Sequence, residues 1–212
     1  MPLDYHKNSK EFQLGIWRMD ESLEELHRLL RLSVSDLLTI DGFKSEYRKR
    51  EWLTTRVLVK QLLSLPDDMI IAYDANGKPR LVNSRYSISI SHTKNFVAVL
   101  LSEHASAGID LETIQSRIEK IAKKFISEEE NSFIEPEKKM FYQHVIWGTK
   151  EVLFKIYGKG ELNFLENLNV KKFQLKEKGE LSGEIAKGDF KKKYDVYYEK
   201  RNDRMLVYAM GD

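Results

Sequence analysis

The chain of 212 residues has no cysteine. That excludes disulfides, thiolate zinc sites and cysteine nucleophiles. It is also consistent with a reducing compartment. No apolar run approaches the ~20 residues that a membrane-spanning helix needs. The opening "MPLDYHKNSK" lacks the apolar core of a signal peptide. A soluble, cytoplasmic protein without membrane contact is therefore expected. Charge of one sign is lacking as well: 35 basic residues stand against 33 acidic ones, a net of +2. This removes the global basic field of a general nucleic-acid binder. Familiar catalytic signatures are missing too. There is no G-x-S-x-G elbow, no G-x-G-x-x-G, no Walker A loop and no H-E-x-x-H pair.

What is present is enough apolar material, 42% of the chain, to build a core. The order of its elements is stated twice. In the first half, the strand pattern "FQLGIWRM" precedes the helical "SLEELHRLL" and a longer helix over about 43–63, which Pro66 ends. Strands follow at "MIIAY", "PRLV", "YSISIS" and "FVAVLLS", with turns at Asn76-Gly77 and Lys94-Asn95. In the second half, "AGIDLE" is the strand and "RIEKIAKKF" the short helix. A long helix over about 138–157 comes next, capped by Gly158 and Gly160. Strands follow at "VKKFQL", "GELSGEIA", "KYDVYYE" and "RMLVYAM", with turns at Lys178-Gly179 and Asn202-Asp203. The expected fold is α+β: a pseudo-dimer of two similar halves, 1–104 and 105–212, each a small antiparallel sheet packed on a long helix. A single ligand cleft between such halves is the corresponding expectation.

In "AGIDLE", Asp110 and Glu112 are two apart and share one strand face. Two like charges aimed at one spot need either a cation or open water. On the long helix, Glu151 and Lys155 are spaced as an i,i+4 pair, which by itself contributes about 0.3–0.5 kcal/mol on a solvated face. The apolar residues around them, Trp147, Leu153, Phe154 and Ile156, argue for partial burial instead. Three carboxylates, Asp110, Glu112 and Glu151, suit a hard divalent cation such as Mg2+, with phosphate or water completing the shell. Two further groups can meet phosphate. In "RKREWLTTR", Arg48 and Arg56 lie two helical turns apart. In "SISISHT", the alternation buries Ile88 and Ile90 and sets Ser87, Ser89 and Ser91 on the other face, with His92 at the strand end. Taken singly, each is equally an ordinary surface cation, polar strand face or turn histidine. Lys78 in "NGKPRL" is a further cation on a tight turn.

In this order, "RKREWLTTR", "GKP", "SISHT", "GIDLE" and "WGTKEVLFK" resemble the 4′-phosphopantetheinyl transferases of the surfactin-synthetase-activating (Sfp) type. The resemblance covers roughly residues 45–160. It implies the pseudo-dimeric α+β fold with coenzyme A in the cleft, and Mg2+ on its pyrophosphate. It implies transfer of the phosphopantetheine arm to a serine of an apo acyl or peptidyl carrier protein, releasing 3′,5′-ADP. By position, Asp110, Glu112 and Glu151 correspond to the metal site. Glu151 and Lys155 are the catalytic candidates, with Glu151 as base or as ligand alone. Lys155, Arg48, Arg56, Lys78, Ser91 and His92 are the coenzyme A candidates, Lys150 is a weaker phosphate candidate, and Arg50 competes with Arg48. Ser89 stands where many relatives carry Asn. Lys123 and Lys124, with Phe125 and Ile126, are candidates for docking the carrier, or else a helix packed inward. A chain that carries both halves is expected to act as a monomer. The alternatives are a non-catalytic coenzyme A- or carrier-binding module, or an unrelated Mg2+-dependent phosphotransferase.

Overall fold

Residues 3–64, 70–103 and 105–211 are described by the computed structural model. They fall into two units, Met1–His104 and Ala105–Asp212. The first opens with strands β1 (Leu3–Asn8) and β2 (Phe12–Arg18), followed by helices α1 (Leu23–Leu29), α2 (Val34–Asp41) and α3 (Glu46–Leu63). A short hairpin, β3 (Ile71–Tyr73) and β4 (Pro79–Leu81), precedes β5 (Ser87–Thr93) and β6 (Phe96–Ser102). Strands β1-β2-β6-β5 form an antiparallel sheet. Helix α3 lies on it closely: a Cβ on Gly15 of β2 would stand 2.7 Å from Leu58 Cδ1. The core joins Leu53, Leu58 and Leu62 of α3 to Val97, Val99 and Leu101 of β6. Ser22, Ser33 and Ser45 each accept a backbone N–H at the head of a helix, which satisfies donors the helix cannot pair itself.

The second unit runs β7 (Ser106–Thr113), α4 (Arg117–Ile121), α5 (Glu128–Asn131), α6 (Lys139–Tyr157), β8 (Leu168–Val170), β9 (Lys178–Lys187), β10 (Phe190–Arg201) and β11 (Arg204–Gly211). Its antiparallel sheet has the order β7-β11-β10-β9-β8. In both units the first of three strands pairs with the last of the unit, and that strand with the one before it: β2-β6-β5 and β7-β11-β10. Among the described residues no helix is long and apolar enough to cross a membrane.

Several local expectations need correction. Lys178 and Gly179 are not a turn. They lie inside β9, opposite Glu199 and Tyr198, and a Cβ on Gly179 would stand 2.6 Å from the Tyr198 hydroxyl. The glycine makes room for a ring rather than for a bend. "VKKFQL" contributes only Val170 to a strand, the end of β8. Strand β1 and helix α2 were not expected; α2 leaves Val34 and Leu38 at 75% and 70% exposure, so no apolar stripe announces it. Ile88 is buried as expected, but Ile90 is only half-buried, and Ser89 and Ser91 on the other face of the strand are buried as well. Pro66, read as the stop of α3, lies outside the described residues; the described helix ends at Ser64, in the left-handed region at φ 51°.

Two devices seat α6. One is close approach. A Cβ on Gly108 of β7 would stand 2.5 Å from the Val152 carbonyl oxygen, and one on Gly148 of α6 would stand 2.5 Å from Val207 Cγ2 of β11. The other is Lys150, which is fully buried and is not a phosphate ligand. Its ammonium donates to Phe125 O (2.6 Å), Phe164 O (2.8 Å) and Glu130 Oε2 (2.8 Å). Glu130 Oε1 accepts from Val170 N (2.9 Å), and Oε2 also accepts from Ser127 N (2.8 Å). The ion pair thus ties α5, α6 and β8 together.

Two stability predictions follow from these contacts. Gly108→Ala meets backbone that cannot swing aside, so urea denaturation should show a loss of about 1–3 kcal/mol. Lys150→Met leaves the Glu130 carboxylate buried without its partner, and the expected loss is about 3–5 kcal/mol. The paired change Lys150→Met with Glu130→Leu should recover part of it.

Candidate active site

Strand alternation puts Gly108, Asp110 and Glu112 on one face of β7. On α6, His144, Gly148, Glu151 and Lys155 are spaced at four, three and four residues, which lines them along one side of the helix. The two rows meet. A Cβ on Gly148 would lie 3.5 Å from Asp110 Oδ2. Lys155 Nζ donates to Ile109 O (2.7 Å) and Asp110 Oδ1 (3.1 Å). Asp110 is only 4% exposed. The structure therefore brings together Asp110, Glu112, Glu151 and Lys155, and the positive group beside the strand acids is the Lys155 ammonium.

This neighbourhood carries more negative charge than Lys155 balances. Burial, then the charges of Asp110 and Glu151, push Glu112 up to about 7, against the opposing pull of Lys155 and a hydrogen bond from the Trp147 side chain. Burial and then Asp110 push Glu151 up to about 7 as well, against Lys155. Trp147 is held in place by Phe125 (ring centroids 5.0 Å) and Phe164 (5.4 Å). Among the described residues no three acidic or imidazole groups are gathered tightly enough to hold an ion as they stand. The donor chemistry nevertheless fits a hard cation. It consists of carboxylate oxygens alone, and their mutual repulsion is what a divalent charge would relieve.

In the first unit, Arg48 and Arg56 share a face of α3, with rings between them. The Arg48 guanidinium lies 5.5 Å from the Phe43 centroid, Phe43 and Trp52 are 6.5 Å apart, and the Arg56 guanidinium lies 3.1 Å from the Trp52 centroid. Both arginines are engaged. Arg48 donates to Glu51 Oε2 (3.0 Å), and Arg56 donates to Trp52 O (3.3 Å) with Asp36 4.0 Å away. Burial brings Arg56 down to about 10. Arg50, the rival of Arg48, has its Nε enclosed without a hydrogen-bond partner. Lys78 is held lower than a free lysine by burial. It lines a cavity of about 270 Å³ with Arg80, Arg85, Ser87 and Asp74. Ser91 and His92 are set on opposite faces of β5. Consecutive strand residues face opposite ways, and His92 Nε2 lies 3.2 Å from Thr55 Oγ1 on α3.

Lys123 and Lys124 are exposed on a short 3-10 turn, Ala122–Lys124. Phe125 is fully buried against Trp147, so it offers no docking surface. Ile126 is half-buried and lines a groove of about 630 Å³ together with Lys123, Ser127, Lys139 and Gln143.

Sequence reasoning missed His144. It is 3% exposed. Its Nε2 accepts the Gln115 N–H (3.3 Å), so the proton is on Nδ1, which donates to Met140 O (2.8 Å). Burial holds its pKa below that of a free imidazole, against hydrogen bonding to the backbone at Met140 and Thr113 and the charge of Asp110. The spacing of His144 seven residues before Glu151 was the available signal.

Residues 106–209 match the family model described as the 4′-phosphopantetheinyl transferase superfamily. A Synechocystis sp. protein provisionally named a 4′-phosphopantetheinyl transferase is 31% identical over 144 residues, covering 61% of this chain and 58% of the relative. The 4′-phosphopantetheinyl transferases AcpT of Salmonella typhi and Salmonella typhimurium are each 31% identical over 117 residues, covering 52% of this chain and 60% of theirs. The chain thus spans about six-tenths of the length of these relatives. The similarity to the 4′-phosphopantetheinyl transferase superfamily thus falls on residues 106–209, nearly all of the second unit.

Proposed function

We propose that this chain is a 4′-phosphopantetheinyl transferase of the surfactin-synthetase-activating type. It moves the phosphopantetheine arm of coenzyme A to a serine hydroxyl of an apo acyl or peptidyl carrier protein. The observation that carries this reading is the meeting of Asp110, Glu112, Glu151 and Lys155 where α6 crosses β7, within the segment that matches the superfamily. In the reaction, the serine oxygen bonds to the phosphorus that bears the pantetheine. The P–O bond to the second phosphate breaks, and 3′,5′-ADP leaves with that electron pair. Glu151 is the proposed base for the serine proton, directly or through a metal-bound water, or a metal ligand alone. Lys155 offers its ammonium to the phosphate charge, exchanging part of its hold on Asp110. Asp110, Glu112 and Glu151 would hold Mg2+, which when bound neutralises diphosphate charge. Arg48, Arg56, Lys78, Ser91 and His92 are the proposed coenzyme A contacts of the first unit. The desolvated Lys78 in a basic cavity is the best supported of them.

The recurrence of β2-β6-β5 as β7-β11-β10 supports a duplicated, pseudo-dimeric plan acting as a monomer. In that plan 1–104 supplies coenzyme A contacts, and 105–212 supplies the metal site and catalytic helix. Exposed Lys123 and Lys124, with Ile126 in the adjoining groove, are the proposed meeting place for an acidic carrier.

Incubation with coenzyme A, Mg2+ and an apo carrier protein should raise the carrier mass by one phosphopantetheine. No gain with any of several carriers would refute the reading. Asp110→Asn should lower the rate by about 100-fold or more, on the scale of losing one preorganised electrostatic group. Chelation by EDTA should stop transfer, and added Mg2+ should restore it.

A further inference from the structure

We propose that His144 is a positioning residue for Glu112: its imidazole staples the exit of β7 to α6 and so fixes where the Glu112 carboxylate stands. The proposal rests on the metal site of the reading above. On the sheet side, the end of β7 is held by pairing of Thr113 with Arg204 and by Ile114 N donating to Asp203 O (2.7 Å). Both contacts tie the strand end to β11 and the turn before it, and neither reaches α6. His144 supplies the restraint toward α6. It grips the backbone three residues beyond Glu112 with Nε2, and its own helix with Nδ1–H. Glu112 projects on the α6 side of β7, so lift of this segment changes its distance from Asp110 and Glu151 directly. The ring is buried, and its Nε2 accepts the Gln115 N–H. Outer groups that orient a metal ligand commonly change metal affinity by about 10–100-fold, and His144 would act one step further back, through the backbone at Gln115.

The test is Mn2+ binding to the full chain, followed by the electron paramagnetic resonance of the free ion, with carrier modification measured in parallel. His144→Phe keeps the ring volume and removes both hydrogen bonds. His144→Gln keeps an acceptor for the Gln115 N–H. His144→Phe should weaken Mn2+ binding about 10-fold. It should raise the half-saturating Mg2+ by a similar factor, with a much smaller fall in rate at saturating Mg2+. His144→Gln should restore most of the affinity. Wild-type affinity in His144→Phe would overturn the proposal. So would equal weakening in both variants, which would assign the effect to ring packing. A wild-type chain that binds no Mn2+ overturns the metal reading and this proposal with it. If the wild type binds Mn2+ and His144→Phe does not, while no carrier is modified, the transferase reading fails and the role of His144 stands.

Discussion

The second unit depends on how closely helix α6 lies against strand β7. Gly108 of β7 leaves no room for a methyl group against the Val152 carbonyl of α6, and Gly148 of α6 leaves none against Val207 of the neighbouring strand β11. Side chains elsewhere on the interface are large, among them Val152, Leu153 and Ile156, so the glycines set the local distance and the apolar residues hold it. Because Asp110 is two residues from Gly108, and Glu151 three from Gly148, the close approach carries the carboxylates along with it. Their proximity is a consequence of backbone packing, and no attraction between the acids is needed to produce it.

That packing imposes an electrostatic cost which identifies the site. Asp110 keeps its place beside the Lys155 ammonium. Glu112 and Glu151 then face both burial and the charge of Asp110, and both rise to about 7. A structural ion pair would have been built with matched charges, as Glu130 and Lys150 are. Among the described residues the Lys155 ammonium faces three carboxylates, Asp110, Glu112 and Glu151, an imbalance of the kind that functional sites build.

Much of this was legible in the sequence. Asp110 and Glu112 two apart, and Glu151 and Lys155 four apart, state the faces of β7 and α6 directly, because strand and helix periodicities are local properties. The strands of the second sheet, apart from β8, were legible by alternation for the same reason. What was hidden depends on distant partners. Gly179 looks like a turn residue until Tyr198 arrives across the sheet. Phe125 looks like a docking surface until Trp147 covers it. Ser91 and His92 look like a pair until β5 sends them to opposite faces and His92 finds Thr55. His144 is marked only by its spacing seven residues before Glu151, because its partner is a backbone N–H at Gln115, which any residue type except proline could have supplied.

Lys150 and Lys155 show the same division within one helix. Five residues separate them, which turns them about 140° apart around the axis. Lys155 therefore looks toward β7, where its ammonium remains partly accessible beside Asp110. Lys150 looks into the layer formed by α5 and the segment around Phe164, where Phe125 O, Phe164 O and Glu130 occupy all three of its protons. A lysine so completely bonded has no donor left for a phosphate. Its neighbour Glu151 benefits all the same, because rotation of α6 about its own axis is resisted by three hydrogen bonds to Lys150. The two lysines of the motif thus have separate tasks: one holds the helix, and the other is held out by it.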